Sequence, residues 1–94
     1  MAQTEQNTVY KTDSTLRAYF KRCKANMDSP LVLSMCDTLL QRSEESGDKH
    51  MQIISYCLKL DYFYYKNDEE NILKQTDEVK KACLRLDNLK YYYF

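Results

Sequence analysis

The sequence has very little of what breaks regular secondary structure, with one glycine and one proline in 94 residues. Sheets and loop-rich folds need many turn residues, so this scarcity predicts long helices joined by short turns. Charge of one sign is also missing, because 14 basic side chains balance 14 acidic ones. A formal charge of zero argues against a domain built to neutralise nucleic-acid phosphates, so a nucleic-acid partner is not expected.

Long apolar runs are absent as well. None approaches the roughly 18–20 residues that a membrane-spanning helix needs, so no membrane segment is expected in this chain. The first residues, "MAQTEQNT", lack the basic and apolar regions of a signal peptide. We interpret residues 1–11 as a flexible leader before a single domain that covers residues 12–94.

Apolar residues recur at helical spacing through most of the chain, which predicts an all-α fold. The expected helices cover about residues 13–27, 30–46, 49–66 and 69–86, with a fifth that begins at 89–94. Ser29 and Pro30 are typical of a helix start, since Ser29 can accept an amide hydrogen bond and Pro30 has no amide hydrogen to lose. Gly47 suits the left-handed residue after a helix, and Asp48 can cap the next helix.

The chain also resembles itself when it is shifted by about 40 residues, which superposes Asp28 on Asp68, Val32 on Ile72 and Leu39 on Val79. A period of this kind, built from two helices and short turns, is typical of α-helical repeat arrays. We therefore expect antiparallel helical hairpins that stack as a tetratricopeptide-like repeat, a fragment of a right-handed α-superhelix.

The run "SPLVLSMCDTLLQRSEESGDKHMQIISYCLKLDYFYYKND", followed after one more helix by "LKYYYF", carries a family resemblance. Residues 12–94 resemble the N-terminal tetratricopeptide-like region of Bacteroidetes membrane sensor histidine kinases. The resemblance implies a non-catalytic scaffold module in the sensory part of a two-component signalling protein. It also implies a periplasmic or extracytoplasmic location; without it, the chain would be placed in the cytoplasm.

Aromatic side chains crowd the end of the third helix and the last residues of the chain. Repeat units cannot bury their faces alone, so we expect these side chains to contact further C-terminal repeats or a second copy of the chain. A homo-oligomer is the outcome if the repeats are missing, because an uncovered aromatic patch favours association. The predicted surface consists of Tyr62, Tyr64, Tyr65, Tyr91, Tyr92, Tyr93 and Phe94.

The alternative is a small cytosolic regulator that binds nucleic acid or an acidic partner through its first helix. Arg17, Lys21, Arg22 and Lys24 form a basic strip there. The interpretation as a solvated helix face competes with this one, and the zero formal charge favours it.

The four cysteines match no CxxC-type metal or redox motif and lie on apolar stripes, where cysteine is a common core residue. Cys36 and Cys57 are placed nearly symmetrically about Gly47, and Cys23 and Cys36 are placed symmetrically about Ser29 and Pro30. In an oxidising compartment, a disulfide across one of these hairpins could form, with Cys36 and Cys57 as the first choice.

Nothing in the sequence has the pattern of a catalytic or cofactor site. His50 is the only histidine and lies beside Asp48, but a lone histidine at a helix start is usually solvated. A single glycine excludes glycine-rich phosphate loops. We therefore expect a protein that is not an enzyme and that holds no cofactor or metal.

Overall fold

The computed structural model describes residues 14–86 and contains four α-helices there, with no strand in that range. They are α1 (Ser14–Ala25), α2 (Leu31–Ser46), α3 (Lys49–Tyr65) and α4 (Glu69–Arg85). The prediction of an all-α fold with stacked helical hairpins is confirmed. The leader, residues 1–11, and the expected fifth helix, 89–94, lie outside the described residues.

α1 ends two residues before the position that the sequence suggested. The side chain of Asn26 donates from Nδ2 to the carbonyl oxygen of Arg22 at 2.8 Å, and its amide donates to the carbonyl of Cys23 at 3.1 Å. Asparagine competes well with the helical backbone for such bonds, which explains the early end. Met27 still packs against the core from the turn that follows.

α2 begins as its sequence predicts. Pro30 already has helical dihedral angles, φ −59° and ψ −19°. The Ser29 hydroxyl accepts from the amide of Leu31 at 3.2 Å. The side chain of Ser29 thus satisfies one amide that has no partner inside the helix.

The turns after α2 and α3 share one geometry. Gly47 has φ 74° and Asn67 has φ 55°, so both are in the left-handed region that ends many helices. In each turn an aspartate follows at once and caps the next helix. Asp48 accepts from the amide of Met51 at 2.9 Å, and Asp68 accepts from the amide of Asn71 at 3.3 Å. These tight turns force α2, α3 and α4 to pack as antiparallel neighbours.

The larger core cluster lies between α1, α2 and α3. It consists of the buried side chains of Leu16, Cys23, Val32, Cys36, Leu39, Met51, Leu58 and Tyr62. Val32, Cys36 and Leu39 recur at spacings of four and three, so one stripe of α2 is covered by both neighbouring helices. Core burial of this kind supplies the main stabilisation of a small helical fold.

α3 is the central helix, and it packs on two sides. Met51, Leu58 and Tyr62 face the larger cluster, while Ile53 joins a smaller cluster with Val79 and Cys83 of α4. A helix that is apolar around most of its circumference needs neighbours on more than one side. The order of packing is α1 and α2 on one side of α3 and α4 on the other.

Polar contacts add direction to this apolar packing. The Gln75 side chain on α4 is buried and donates from Nε2 to the carbonyl oxygen of Tyr56 on α3 at 3.0 Å. Lys59 on α3 pairs with Asp37 on α2. Because a hydrogen bond is directional and apolar contact is not, the Gln75 bond helps to set where α4 lies along α3.

Candidate interaction surfaces

The aromatic surface on α3 is smaller than its sequence predicts. Tyr64 and Tyr65 are 57% and 60% exposed, which is high for side chains of this size. The Lys66 ammonium lies 5.5 Å from the centroid of the Tyr65 ring and 5.8 Å from that of Tyr62. A cation over an aromatic face is attracted to it and leaves the ring edge free for contact.

Tyr62 belongs to the core and not to this surface. Only 7% of it is exposed, and its ring packs edge-to-face on Phe63 with centroids 5.7 Å apart. Tyr62 follows Met51, Ser55 and Leu58 on the stripe of α3 that faces α2 and α1, which explains its burial. The remaining predicted members of the surface, Tyr91, Tyr92, Tyr93 and Phe94, lie outside the described residues.

Three exposed leucines lie outside the surface that the sequence predicted. Leu31 is 68% exposed where α2 begins, which is the same end of the hairpin where α3 ends with Tyr64 and Tyr65. Leu73 and Leu84 are exposed on α4. Both leucines lie off the stripe formed by Val79 and Cys83, and a projection of α4 onto a helical wheel would have revealed them.

The basic strip of α1 lies on its outer side. Arg17, Lys21, Arg22 and Lys24 are all exposed, while Leu16 and Cys23 of the same helix are buried. α1 contains no acidic residue, so its own charges are not balanced within the helix. The structure thus places all four predicted residues on one exposed helix.

Arg42 of α2 joins this basic area, which sequence reasoning did not foresee. Its guanidinium carbon lies 4.9 Å from the centroid of the Tyr19 ring, and that of Arg22 lies 5.3 Å from the same centroid. Two guanidinium groups from different helices therefore share one tyrosine ring. Only the packing of α1 on α2 brings Arg42 there, and its position in the sequence carries no such signal.

The structure does not bring Cys36 and Cys57 together. All four cysteines are free thiols, and Cys36 lies in the larger cluster while Cys57 packs against the smaller one. Adjacent residues on a helix point in different directions, so Leu58 joins Cys36 in the larger cluster while Cys57 points toward the smaller one. The expected pairing of Cys36 with Cys57 is corrected on this ground, and the neighbour of Cys36 is Cys23.

The four thiols have different electrostatic surroundings. A hydrogen bond between the Cys23 and Cys36 thiols lowers the pKa of Cys23 and raises that of Cys36. Burial raises the pKa of Cys57 to about 11, with smaller contributions from Cys83 and Asp61. Burial also raises the pKa of Cys83. Cys57 and Cys83 are consequently neutral, weakly nucleophilic thiols at ordinary pH.

The neighbourhood of His50 is that of a helix start. His50 is half-buried in the first turn of α3, and the carboxylate of Asp48 accepts from the Met51 amide. Within residues 14–86, no group of three or more metal-ligating side chains is close enough to hold an ion. None of the helices described there is long and apolar enough to cross a bilayer.

Comparison with known proteins gives no relative: neither the protein-family models, nor the curated proteins, nor the solved structures contain a match.

Proposed function

We propose that this chain is a non-catalytic interaction and scaffold module. The observation that supports it is the exposure of Tyr64, Tyr65 and Leu31 at one end of the hairpin formed by α2 and α3. Large apolar side chains grouped on a surface mark sites of protein association, and tyrosine is enriched at such sites. This surface, formed by Tyr64, Tyr65 and Leu31, is called the aromatic end below.

The module belongs, in this proposal, to a tetratricopeptide-like array in the sensory region of a two-component signalling protein, outside the cytoplasm. Support comes from the helix bounds: α1 and α3 end at Ala25 and Tyr65, and α2 and α4 end at Ser46 and Arg85. Both separations are about 40 residues, as the sequence self-similarity predicts. Such arrays present extended surfaces to other proteins and require no catalytic residues.

The partner of the aromatic end is further helical repeats or a second copy of this chain. Each hairpin in an array buries its apolar face only against the next, so an uncovered face favours association. We expect the chain to associate in a concentration-dependent way, by sedimentation velocity or by light scattering after size exclusion.

The variant Tyr64→Ser with Tyr65→Ser should shift the chain toward the monomer without loss of helix content. Leu84→Ser is the matched control, because Leu84 is as exposed as Tyr64, at 57%, but lies near the end of α4. A strictly monomeric parent chain at high concentration contradicts the proposal, and so does association that Leu84→Ser weakens equally.

A second function is favoured by the two guanidinium groups on Tyr19. In this alternative, the chain is a small helical regulator that binds nucleic acid or an acidic protein through α1, with Arg42 of α2 as an additional contact. Arginine on an aromatic ring keeps its hydrogen-bond donors available for phosphate or carboxylate oxygens.

Binding of fluorescently labelled duplex DNA tests for a nucleic-acid partner, and binding of a labelled glutamate-rich peptide tests for an acidic protein partner. Binding should fall with salt concentration and should be lost on neutralising Arg17, Lys21 and Arg22 to glutamine. The control neutralises Lys74, Lys80 and Lys81 on α4, which removes the same charge elsewhere. Equal losses in both triple variants would indicate nonspecific attraction and would contradict the alternative.

A further inference from the structure

Two thiols from neighbouring helices lie together in the core. Cys23 is in the last turn of α1 and Cys36 is in the second turn of α2, and both side chains are fully buried. Both belong to the larger core cluster, and each thiol influences the pKa of the other. The symmetric placement of the two residues about Ser29 and Pro30 therefore brings both into one core cluster once the hairpin folds.

A bond between these two cysteines would attach α1 to α2. α1 has 12 residues, and only Leu16 and Cys23 of these are buried. α3 and α4 each have 17 residues and bury more side chains. A covalent link at Cys23 would therefore hold the helix that the core holds least, and that helix carries the basic strip.

The other two cysteines offer a comparison inside the same molecule. Cys57 and Cys83 also lie near each other, across α3 and α4, and burial raises the pKa of both. Their helices are joined by the Gln75 bond and the smaller cluster, so α4 should separate from α3 less readily than α1 separates from the core. A buried thiol meets a disulfide in solution only when local opening exposes it, so the pair on α1, the helix with the fewest buried side chains, should react first.

We propose that Cys23 and Cys36 are a redox-active pair that a low-molecular-weight disulfide, such as oxidised glutathione, converts to a cystine locking α1 to α2. In the first step, the Cys23 thiolate attacks one sulfur of the small disulfide. The small S–S bond breaks, a mixed disulfide forms on Cys23, and the departing thiolate takes up a proton equivalent to the one that Cys23 lost.

In the second step, Cys36 gives its proton to water and its sulfur attacks the Cys23 sulfur of the mixed disulfide. The second small thiolate leaves and is protonated in turn. Two protein thiols are thus oxidised and one small disulfide is reduced to two thiols. Both protein thiols are buried, so the first attack proceeds when α1 separates transiently from the core.

The experiment uses the whole reduced chain, folded, in buffers of graded oxidised and reduced glutathione. After acid quench, thiols are counted under denaturing conditions, the intact mass is measured, and a tryptic digest identifies the linked peptides. We expect the loss of two of the four thiols, a mass lower by about 2 Da, and a peptide that joins Cys23 to Cys36. Thermal unfolding of the oxidised chain should occur roughly 10 °C higher, and a reductant should reverse the shift.

Two double variants provide the controls. Cys57→Ala with Cys83→Ala should still lose both of its thiols, whereas Cys23→Ser with Cys36→Ser should keep both of its thiols under the same conditions. If circular dichroism shows that a variant does not fold, the test is the peptide map of the oxidised parent chain, which identifies the two linked cysteines. Four retained thiols in the folded parent at strongly oxidising ratios, or a link between any other two cysteines, overturns the proposal.

Discussion

At the scale of single residues, the buried amide of Gln75 shows how a polar side chain contributes to an apolar interface. It lies between α3 and α4, where an amide without a partner would be costly, and the carbonyl of Tyr56 provides the partner. Apolar spacing identified Val79 and Cys83 beside it but gave no reason to bury a glutamine. The bond depends on the relative position of two helices, which is a tertiary property.

Replacing Gln75 with alanine should lower the free energy of unfolding by roughly 1–2 kcal/mol, because both a hydrogen bond and buried contact area are lost. Urea denaturation measures the change. Gln41→Ala is the matched control, since Gln41 is exposed and its side chain makes only a local contact with Glu45 at 3.4 Å. We expect the control to change stability by less than about 0.5 kcal/mol. Similar losses in both variants would show that the Tyr56 contact contributes nothing.

The Cys57 thiol gives a prediction about pH. Its pKa rises from 9.0 to about 11 in the folded chain, so the folded state prefers the protonated form. The stability that this preference contributes is fully present below pH 9.0 and is lost as the pH rises toward 11. The parent chain should therefore lose more stability over this range than Cys57→Ala does, as measured by urea denaturation at several pH values. All other side chains are common to both proteins, so the difference isolates Cys57, and parallel curves would contradict the assignment.

The residues that sequence reasoning misplaced are also explained at this scale. Tyr62 was assigned to the surface because it sits in an aromatic run, yet its position on α3 continues the stripe of Leu58. Arg42 was not singled out because its neighbour Tyr19 lies on another helix. Helical periodicity alone is enough to place Tyr62 in the core, whereas the position of Arg42 depends on how α1 packs against α2.

At the scale of the elements, the turns decide the fold. Gly47 was identified from the sequence as a left-handed residue, and its φ of 74° confirms this. Asn67 occupies the corresponding place after α3 with φ 55°, and asparagine tolerates that region better than other residues with a side chain. Helix ends could be predicted to within about two residues because capping is local chemistry.

Alanine at either position should destabilise the chain by roughly 1 kcal/mol, since it must adopt a left-handed conformation. No atom lies within 4 Å of a side-chain carbon placed at Gly47, so the cost there is conformational and not steric. Asn67→Gly is the control, and we expect it to keep or slightly raise stability. Thermal unfolding compares the three variants, and a loss in Asn67→Gly as large as in Asn67→Ala would refute the explanation.

At the scale of the whole molecule, the core is divided between two clusters that share α3. The larger cluster joins α1, α2 and α3, and the smaller one joins α3 and α4. The apolar residues around most of α3 require neighbours on two sides, but their spacing does not show which residues face each neighbour. In stacked helical hairpins, stability is approximately a sum of nearest-neighbour terms, so the two interfaces should respond separately.

Leu39→Ala, in the larger cluster, should cost about 2–5 kcal/mol, and Val79→Ala, in the smaller cluster, about 2 kcal/mol. Hydrogen exchange followed by mass spectrometry should show different patterns. Val79→Ala is expected to increase exchange in α4 with little change in α1 and α2, while Leu39→Ala increases it in α1, α2 and α3. If Val79→Ala increased hydrogen exchange equally in all four helices, the molecule would open only as one unit.

The hydrogen bond between Gln75 and Tyr56 also opposes sliding of α4 along α3. Apolar contacts alone allow a helix to shift along its neighbour with little change in buried area. A shift of one turn, about 5.4 Å, would leave the Gln75 amide buried among apolar side chains without a hydrogen-bond partner. The axial setting of α4 is therefore constrained by this buried bond, together with the exposed bond that Arg85 Nη2 donates to the Tyr56 hydroxyl at 3.1 Å. The position of α4 along α3 sets the distances from Leu73 and Leu84 on α4 to Tyr64 and Tyr65 on α3. A substitution at Gln75 that shifts α4 would change those distances and weaken a ligand that contacts both helices.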